Sequence, residues 1–327
     1  MNKRKIFFAA LLFGVTAFAF GQKPKTYNLA SPDGSVVVHI EVAAKLRWSV
    51  THKGQQVIAP SAISLLLDDG TVLGDNARVA SAPTGKVNTT FDPINYHKAT
   101  ITDRYNQIIL NCRQSYGVIF RAYDDAVAYR FFTTRKGDIT IRREEANFNF
   151  TADHRAFIPI QWDYRGGKIF NSSFEALYHE IRLSQFPKDS LAFLPLLVDA
   201  GQHKKVVILE ADLEDYPGMY LDLNETGKGL KAVHAPYPLE VVNGGADKMN
   251  LIPTKRADYI AKTDGTRSFP WRAIVISESD KDLLNNDIVQ KLASPPRLVD
   301  VSWIKPGQVA WDWWNDWNIS HVDFKAG

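Results

Sequence analysis

Apolar residues recurring at every second position, in short runs broken by turn residues, dominate the chain from Tyr27 to about Ser277. A helix buries one face through three- and four-residue spacing, so a period of two commits this region to strands. The run Leu46-Arg-Trp-Ser-Val-Thr51 alternates throughout, and Val36-Val-Val-His-Ile-Glu-Val42 does so toward its end. Ser64-Leu-Leu-Leu67 enters Asp68-Asp-Gly70, a turn signal. Residues 116–123 are followed by Asp124-Asp125, after which Val127-Ala-Tyr-Arg-Phe-Phe132 returns as the second arm of a hairpin. Further strands are expected at 108–110, 139–142, 157–160, 205–209, 219–223 and 272–277. Short strands at this spacing point to a sandwich of antiparallel sheets. No sequence repeat of blade length recurs, which disfavours a propeller. Helical spacing is confined to small pieces, residues 280–286 first and 174–181 second.

A chain of 327 residues holds one large domain or two ordinary ones. Its 45% hydrophobic and 23% charged residues are those of a soluble globular protein. The formal charge of +3 is nearly neutral, and no basic block follows Lys3-Arg4-Lys5, which argues against nucleic acid as a partner. Residues 1–21 read as a secretory signal: a positive start, an apolar stretch from Ile6 to Phe20, and Ala19-Phe20-Gly21 where a peptidase would cut. The apolar run is short for a membrane span, and no cysteine near the cut offers a lipid anchor. The expectation is a periplasmic or secreted protein, free of the membrane after cleavage. The single cysteine, Cys112, cannot form an intramolecular disulfide and reads as a small buried strand residue. The eight histidines show no dense ligand spacing, so zinc is not expected, and no phosphate loop or Gly-x-Ser-x-Gly elbow is present.

After Ser277 the character changes. Residues 280–292 look like a short helix that Ser294-Pro-Pro296 breaks, and an extended 297–303 leads through Lys305-Pro-Gly307 into Val309-Ala-Trp311. Four of the eight tryptophans then fall at Trp311, Trp313, Trp314 and Trp317, with Asp312, Asn315, Asp316 and Asn318 between them. Aromatic faces suit the C–H face of a sugar ring, and carboxylates and amides can hold its hydroxyls. The same run also reads as a tryptophan-rich core strand with a polar turn.

Several of these segments resemble glycoside hydrolase family 97. Ser302-Trp-Ile-Lys-Pro306, residues 311–318 and Val322-Asp-Phe-Lys-Ala-Gly327 look like that family's entry into its catalytic barrel. Upstream, Leu209-Glu-Ala-Asp-Leu-Glu-Asp-Tyr216 is similar to its Glu-Ala-x-Leu-x-Asp-Tyr segment, Pro270-Trp-Arg272 matches its Pro-Trp-Arg, and Glu175-Ala-Leu-Tyr178 resembles its Glu-x-x-Tyr. The resemblance implies a mainly β chain: a signal peptide at 1–21, a β-supersandwich of the galactose-mutarotase-like kind at 22–280, a linker at 281–304, and the start of a truncated (β/α)₈ barrel at 305–327. It implies catalytic carboxylates beyond residue 327, and so a fragment inactive alone.

The resemblance further implies an exo-acting enzyme on α-linked oligosaccharides, assisted by calcium. The family's two branches differ in carboxylate separation, with room for a water only in the inverting one. The tryptophan-rich segment looks like the retaining branch, so α-galactosidase is expected over α-glucosidase. Trp311, Asp312, Trp313, Trp314, Asn315 and Asp316 are the expected substrate contacts, since barrel sites gather at the C-terminal ends of strands. Glu175, from the family's Glu-x-x-Tyr, is the expected calcium ligand of the β domain, and Glu210 is the second. Glu175 also reads as a solvated surface glutamate, and Glu210 as a cap or ion pair at a strand end. Asp212, Glu214 and Asp215 read as turn residues. From a different class of function, a carbohydrate-binding β-sandwich without chemistry is the alternative. Oligomeric state is not legible.

Overall fold

The strand Ala126–Asn149 ties the molecule together over 24 residues. It pairs antiparallel with Tyr116–Ala122, Trp271–Ser277, Ala261–Ser268, Gln55–Leu67 and Gly229–His234 in turn. Its first residues are buried almost without alternation, as befits a strand covered on both faces, and its second half alternates. The alternation in the sequence predicts two strands here, at 127–132 and 139–142. They are one, because the ladder to Ala261–Ser268 resumes across a register shift between Thr134 and Asp138. Gly137 takes φ +71° in this bulge. The partner strand makes room: a Cβ on Gly265 would stand 2.4 Å from Gly137 O and 2.6 Å from Arg135 O.

The computed structural model describes residues 24–162, 169–171, 174–245 and 248–308. Lys25–Ala30, Val36–Val42, Leu46–His52 and Gln55–Leu67 form an antiparallel meander. Ile101–Cys112 lies between Thr84–Phe91 and Tyr116–Ala122. On the far side, Trp271–Ser277 pairs with Lys204–Ala211, which pairs with Leu196–Gly201. Met219–Leu223 and Gly229–His234 form a further pair. The result is the mainly β, sandwich-like architecture that the alternation implied.

The main core lies between the layers, where Trp48 meets the Tyr129 ring at 5.2 Å and the Phe148 ring edge-on at 5.9 Å. A smaller cluster of Tyr105, Tyr123, Trp271 and Val275 faces the other way, and Ile288 and Leu292 cover it.

Local expectations fared unevenly. The Asp124-Asp125 hairpin is present, with Tyr129 opposite Phe120, and so is the turn at Gly70, whose φ is +81°. Cys112 is a buried free thiol. The helical reading of 174–181 is overturned: Tyr178–Arg182 is a strand on the edge of Arg155–Trp162. Eight residues cannot hold a helix against an open ladder. The helix at 280–292 is two short ones, Asp280–Leu283 and Ile288–Leu292. Between them Asn286 Nδ2 donates to Asp125 and Asp287 accepts from Lys98 and Tyr96, which pulls the chain out of helical register. The signal reading at 1–21 and the barrel strand from Val309 onward lie outside the described residues.

Candidate functional site

Glu210 stands near the end of the Lys204–Ala211 strand, directly across the ladder from Arg272. Arg272 is buried to 1% exposure in the apolar run of Trp271–Ser277. A guanidinium placed there must find acceptors, since an unpaired buried charge is prohibitive. It finds them on three strands. Nε and Nη2 donate to both oxygens of Glu144 at 2.7 and 2.8 Å, a two-pronged pair from the long strand. Nη1 donates to Glu210. Nη2 also lies 3.1 Å from His234 Nε2, which must be the acceptor, since an arginine can only donate. The Tyr216 ring closes the cluster, edge-on to His234 at 5.9 Å.

The charges follow from this geometry. Burial alone would raise the Glu144 carboxyl, but the charge and hydrogen bonds of Arg272 outweigh it, with help from His234, and hold it down to about 2. For Glu210 burial wins over Arg272 and the Met219 amide, and its value moves up, aided by the repulsion of Glu144. Burial pushes His234 down to about 4, so it is neutral at physiological pH. The cluster therefore sets two carboxyl groups against one guanidinium, with Arg272 favouring the charge of Glu144 and burial opposing that of Glu210.

Glu210 has further work. Both its oxygens accept from the Met219 amide, at 3.1 Å each, fixing the start of Met219–Leu223. The next residue, Tyr220, stacks its ring on Phe174 at 4.8 Å and 25°. Phe193 meets Phe174 edge-on, and Phe170 meets Tyr220 at 5.5 Å. Arg256 Nη2 donates to Asn171 at 2.7 Å. Phe174 takes φ +56°, and Glu175 follows it, exposed to solvent. So the two carboxylates picked out in the sequence as metal ligands belong to one arrangement. Glu210 anchors the strand against which the segment bearing Glu175 is stacked.

Engaged by Arg272 and Met219, Glu210 has less to offer a cation than the exposed Glu175. Among the described residues, no group of three or more histidine, cysteine or acidic side chains is placed to hold a metal ion. Trp311, Asp312, Trp313, Trp314, Asn315 and Asp316 lie outside the described residues. Sequence reasoning missed Glu144 and His234. The available signal was an arginine beside the apolar run Ala273-Ile-Val-Ile276, at Arg272, which demands buried partners that only the fold can name.

The family profile described as Glycosyl-hydrolase 97 N-terminal matches residues 29–295. The chain belongs to this family. It is 41% identical to a retaining alpha-galactosidase of Bacteroides thetaiotaomicron over 309 residues, which is 94% of this chain and 47% of that protein. A probable retaining alpha-galactosidase of Streptomyces bingchenggensis is 24% identical over 61% of this chain and 26% of its own length. The chain thus spans about half the length of the first curated relative, or less of the second. Among solved structures, a Glycoside Hydrolase Family 97 enzyme from Pseudoalteromonas sp. strain K8 in complex with acarbose superposes with a TM-score of 0.71 at 23% identity, covering 86% of this chain and 40% of that one. A beta-arabinopyranosidase superposes with a TM-score of 0.65 at 20% identity, over 77% of this chain and 40% of that one. These two likenesses establish the sandwich fold that the glycosyl-hydrolase 97 N-terminal family shares, and that fold carries the Arg272 cluster.

Proposed function

We propose that this chain is the N-terminal β part of an exported, retaining α-galactosidase that removes terminal α-linked galactose from oligosaccharides. The observation that carries the reading is the 41% identity to a retaining alpha-galactosidase across 94% of the chain. Homology within a glycosyl-hydrolase family supports hydrolysis of a glycosidic bond, and the sugar and the stereochemistry rest on that relative. In this reading the β domain supplies a rigid wall, and segment 311–316 supplies the aromatic and polar contacts to the sugar. The acid and the nucleophile come from outside this chain. The β domain's share of the chemistry is to exclude water and hold the wall in place.

Calcium belongs to the same proposal. The ion takes about six to eight oxygens, so a lone carboxylate does not make a site. The described residues do not compose such a site on their own. Glu175 is exposed and has freedom to reach a cation, while Glu210 is spent on Arg272 and Met219. We assign the β-domain ligand to Glu175 and an anchoring role to Glu210. The test is turnover of an aryl α-galactoside by the full-length protein, before and after a calcium chelator. Turnover lost on chelation and restored by calcium supports the reading. Preference for the α-glucoside moves the assignment to α-glucosidase of the same family. Binding of galactosides without turnover replaces it with a carbohydrate-binding sandwich.

A further inference from the structure

The turn after Lys204–Ala211 does more than reverse the chain. Asp212, at φ +58°, has its carboxylate within hydrogen-bond reach of the chain leaving the β domain. Its Oδ1 accepts from the Ser294 amide and its Oδ2 from the Ser294 hydroxyl, both at 2.9 Å. The same Oδ2 accepts from Arg130 Nη1 at 2.8 Å. Both partners of that ion pair are largely buried, at 16% and 12% side-chain exposure, so it is not a solvent-screened surface pair. Arg130 in turn lies 4.7 Å over the Trp271 ring, with Arg121 4.6 Å from the same ring. The turn itself is held from behind: Arg267 donates to Glu214 O at 2.7 Å and to Asp215 O at 3.2 Å. Glu214 adds a looser contact to Arg297 at 3.1 Å.

What Asp212 grips is a point of leverage. Ser294 follows the helix Ile288–Leu292, whose last turn closes with Ala293 N donating to Val289 O at 3.0 Å. Pro295 and Pro296 come next. Each proline ring fixes φ, and paired prolines favour a stiff, extended path of about 3.1 Å per residue. A direction set at Ser294 is therefore carried into residues 297–303 rather than lost to free rotation. Without the latch, that segment has few internal bonds: the Trp303 indole donates to Asp300 O, and Ser302 N to Asp300.

We propose that Asp212 is a positioning residue, a latch on Ser294 that fixes the direction in which residues 297–303 leave the β domain for the substrate site. The part of this that concerns substrate rests on the α-galactosidase reading above. The latch itself does not. The β-domain turn and the exit segment thus act as one unit, with the Trp271 layer as its base.

Hydrogen exchange on the full chain separates the two parts. Asp212→Ala raises exchange of the Ser294 amide at least tenfold, and that of Ser302, the hydrogen-bonded amide within residues 297–303, severalfold, while the Trp271–Ser277 strand holds its protection. Ser294→Ala keeps the Asp212–Arg130 pair and gives a smaller rise in the same segment. It serves where loss of a partner for Arg130 unfolds the Ala variant. Asp212→Asn, which keeps an acceptor for the Ser294 amide, restores most of the protection. In the full-length protein, Asp212→Ala raises KM for the aryl α-galactoside several-fold with a smaller change in kcat, and Asn recovers it. Unchanged exchange at Ser294 and Ser302 in both Asp212→Ala and Ser294→Ala overturns the latch. Raised exchange with unaltered KM overturns the positioning role. If the wild-type protein turns over no α-glycoside, the functional reading fails, and the exchange result still decides the latch.

Discussion

Replacing Arg272 by methionine removes the only guanidinium among Glu144, Glu210 and His234 while keeping much of its volume. At pH 7 the variant must then bury Glu144 as an unpaired anion or protonate it. Protonating a carboxyl of ordinary value 4.5 at pH 7 costs about 3.4 kcal/mol, at ~1.36 kcal/mol for each of about 2.5 pH units. That falls in the range of about 3–5 kcal/mol found when one partner of a buried ion pair is removed. The pH dependence distinguishes this cause from simple loss of packing. In the wild type, Glu144 is held near 2, so its stabilising share is complete above 4.5 and drains away as the pH falls toward 2. In the variant the folded value lies above 4.5, so the sign reverses and acidification from pH 7 to 5 regains stability. Urea unfolding of both proteins at pH 7 and pH 5, followed by tryptophan fluorescence and circular dichroism, measures the difference. A loss of about 3 kcal/mol or more at pH 7 that shrinks by half or more at pH 5 is expected. Adding Glu144→Gln to the variant should recover part of the loss, because a neutral amide needs no counter-charge. A loss under about 1 kcal/mol, or one that is the same at both pH values, refutes the electrostatic account of this cluster.

Three further outcomes are expected. Gly265→Ala drives a Cβ onto the backbone oxygens of Gly137 and Arg135, at 2.4 and 2.6 Å, and should cost about 1–3 kcal/mol in urea unfolding. Tyr220→Ala removes the ring stacked on Phe174 and should speed hydrogen exchange around Glu175 severalfold, leaving the Arg272 strand protected. Glu175→Gln should weaken calcium binding by the full-length protein about tenfold, ~1.4 kcal/mol by titration calorimetry, whereas an unchanged affinity removes Glu175 from the ligand set.

The strands were legible because their faces differ: Leu46–His52 buries Leu46, Trp48 and Val50, and the alternation that marks them in sequence is the alternation that burial selects. The joining of 127–132 to 139–142 was not legible. Thr-Arg-Lys-Gly-Asp interrupts the alternation between the two runs, and only the partner strand with Gly265 joins them across a bulge. Residues 174–181 failed for a related reason, since a short edge strand is set by the neighbour that accepts it. At the candidate site, Glu175 and Glu210 stood out by resemblance. The cluster that decides the character of Glu210 draws Glu144, His234 and Arg272 from strands far apart in sequence. No spacing rule reaches across such distances. The latch on Ser294 was likewise hidden, because Asp212 and Ser294 meet only once the turn takes its left-handed backbone.

The sugar cleaved by the full-length protein and the stereochemistry of its product decide between the readings. Proton NMR of an aryl α-galactoside and an aryl α-glucoside, followed from the first minutes of reaction, reads both at once. The expected result is faster release from the α-galactoside, with α-galactose as the first-formed anomer, and no turnover by the 327-residue chain alone. Preference for the α-glucoside, β-anomer first, or turnover by the 327-residue chain itself would contradict it.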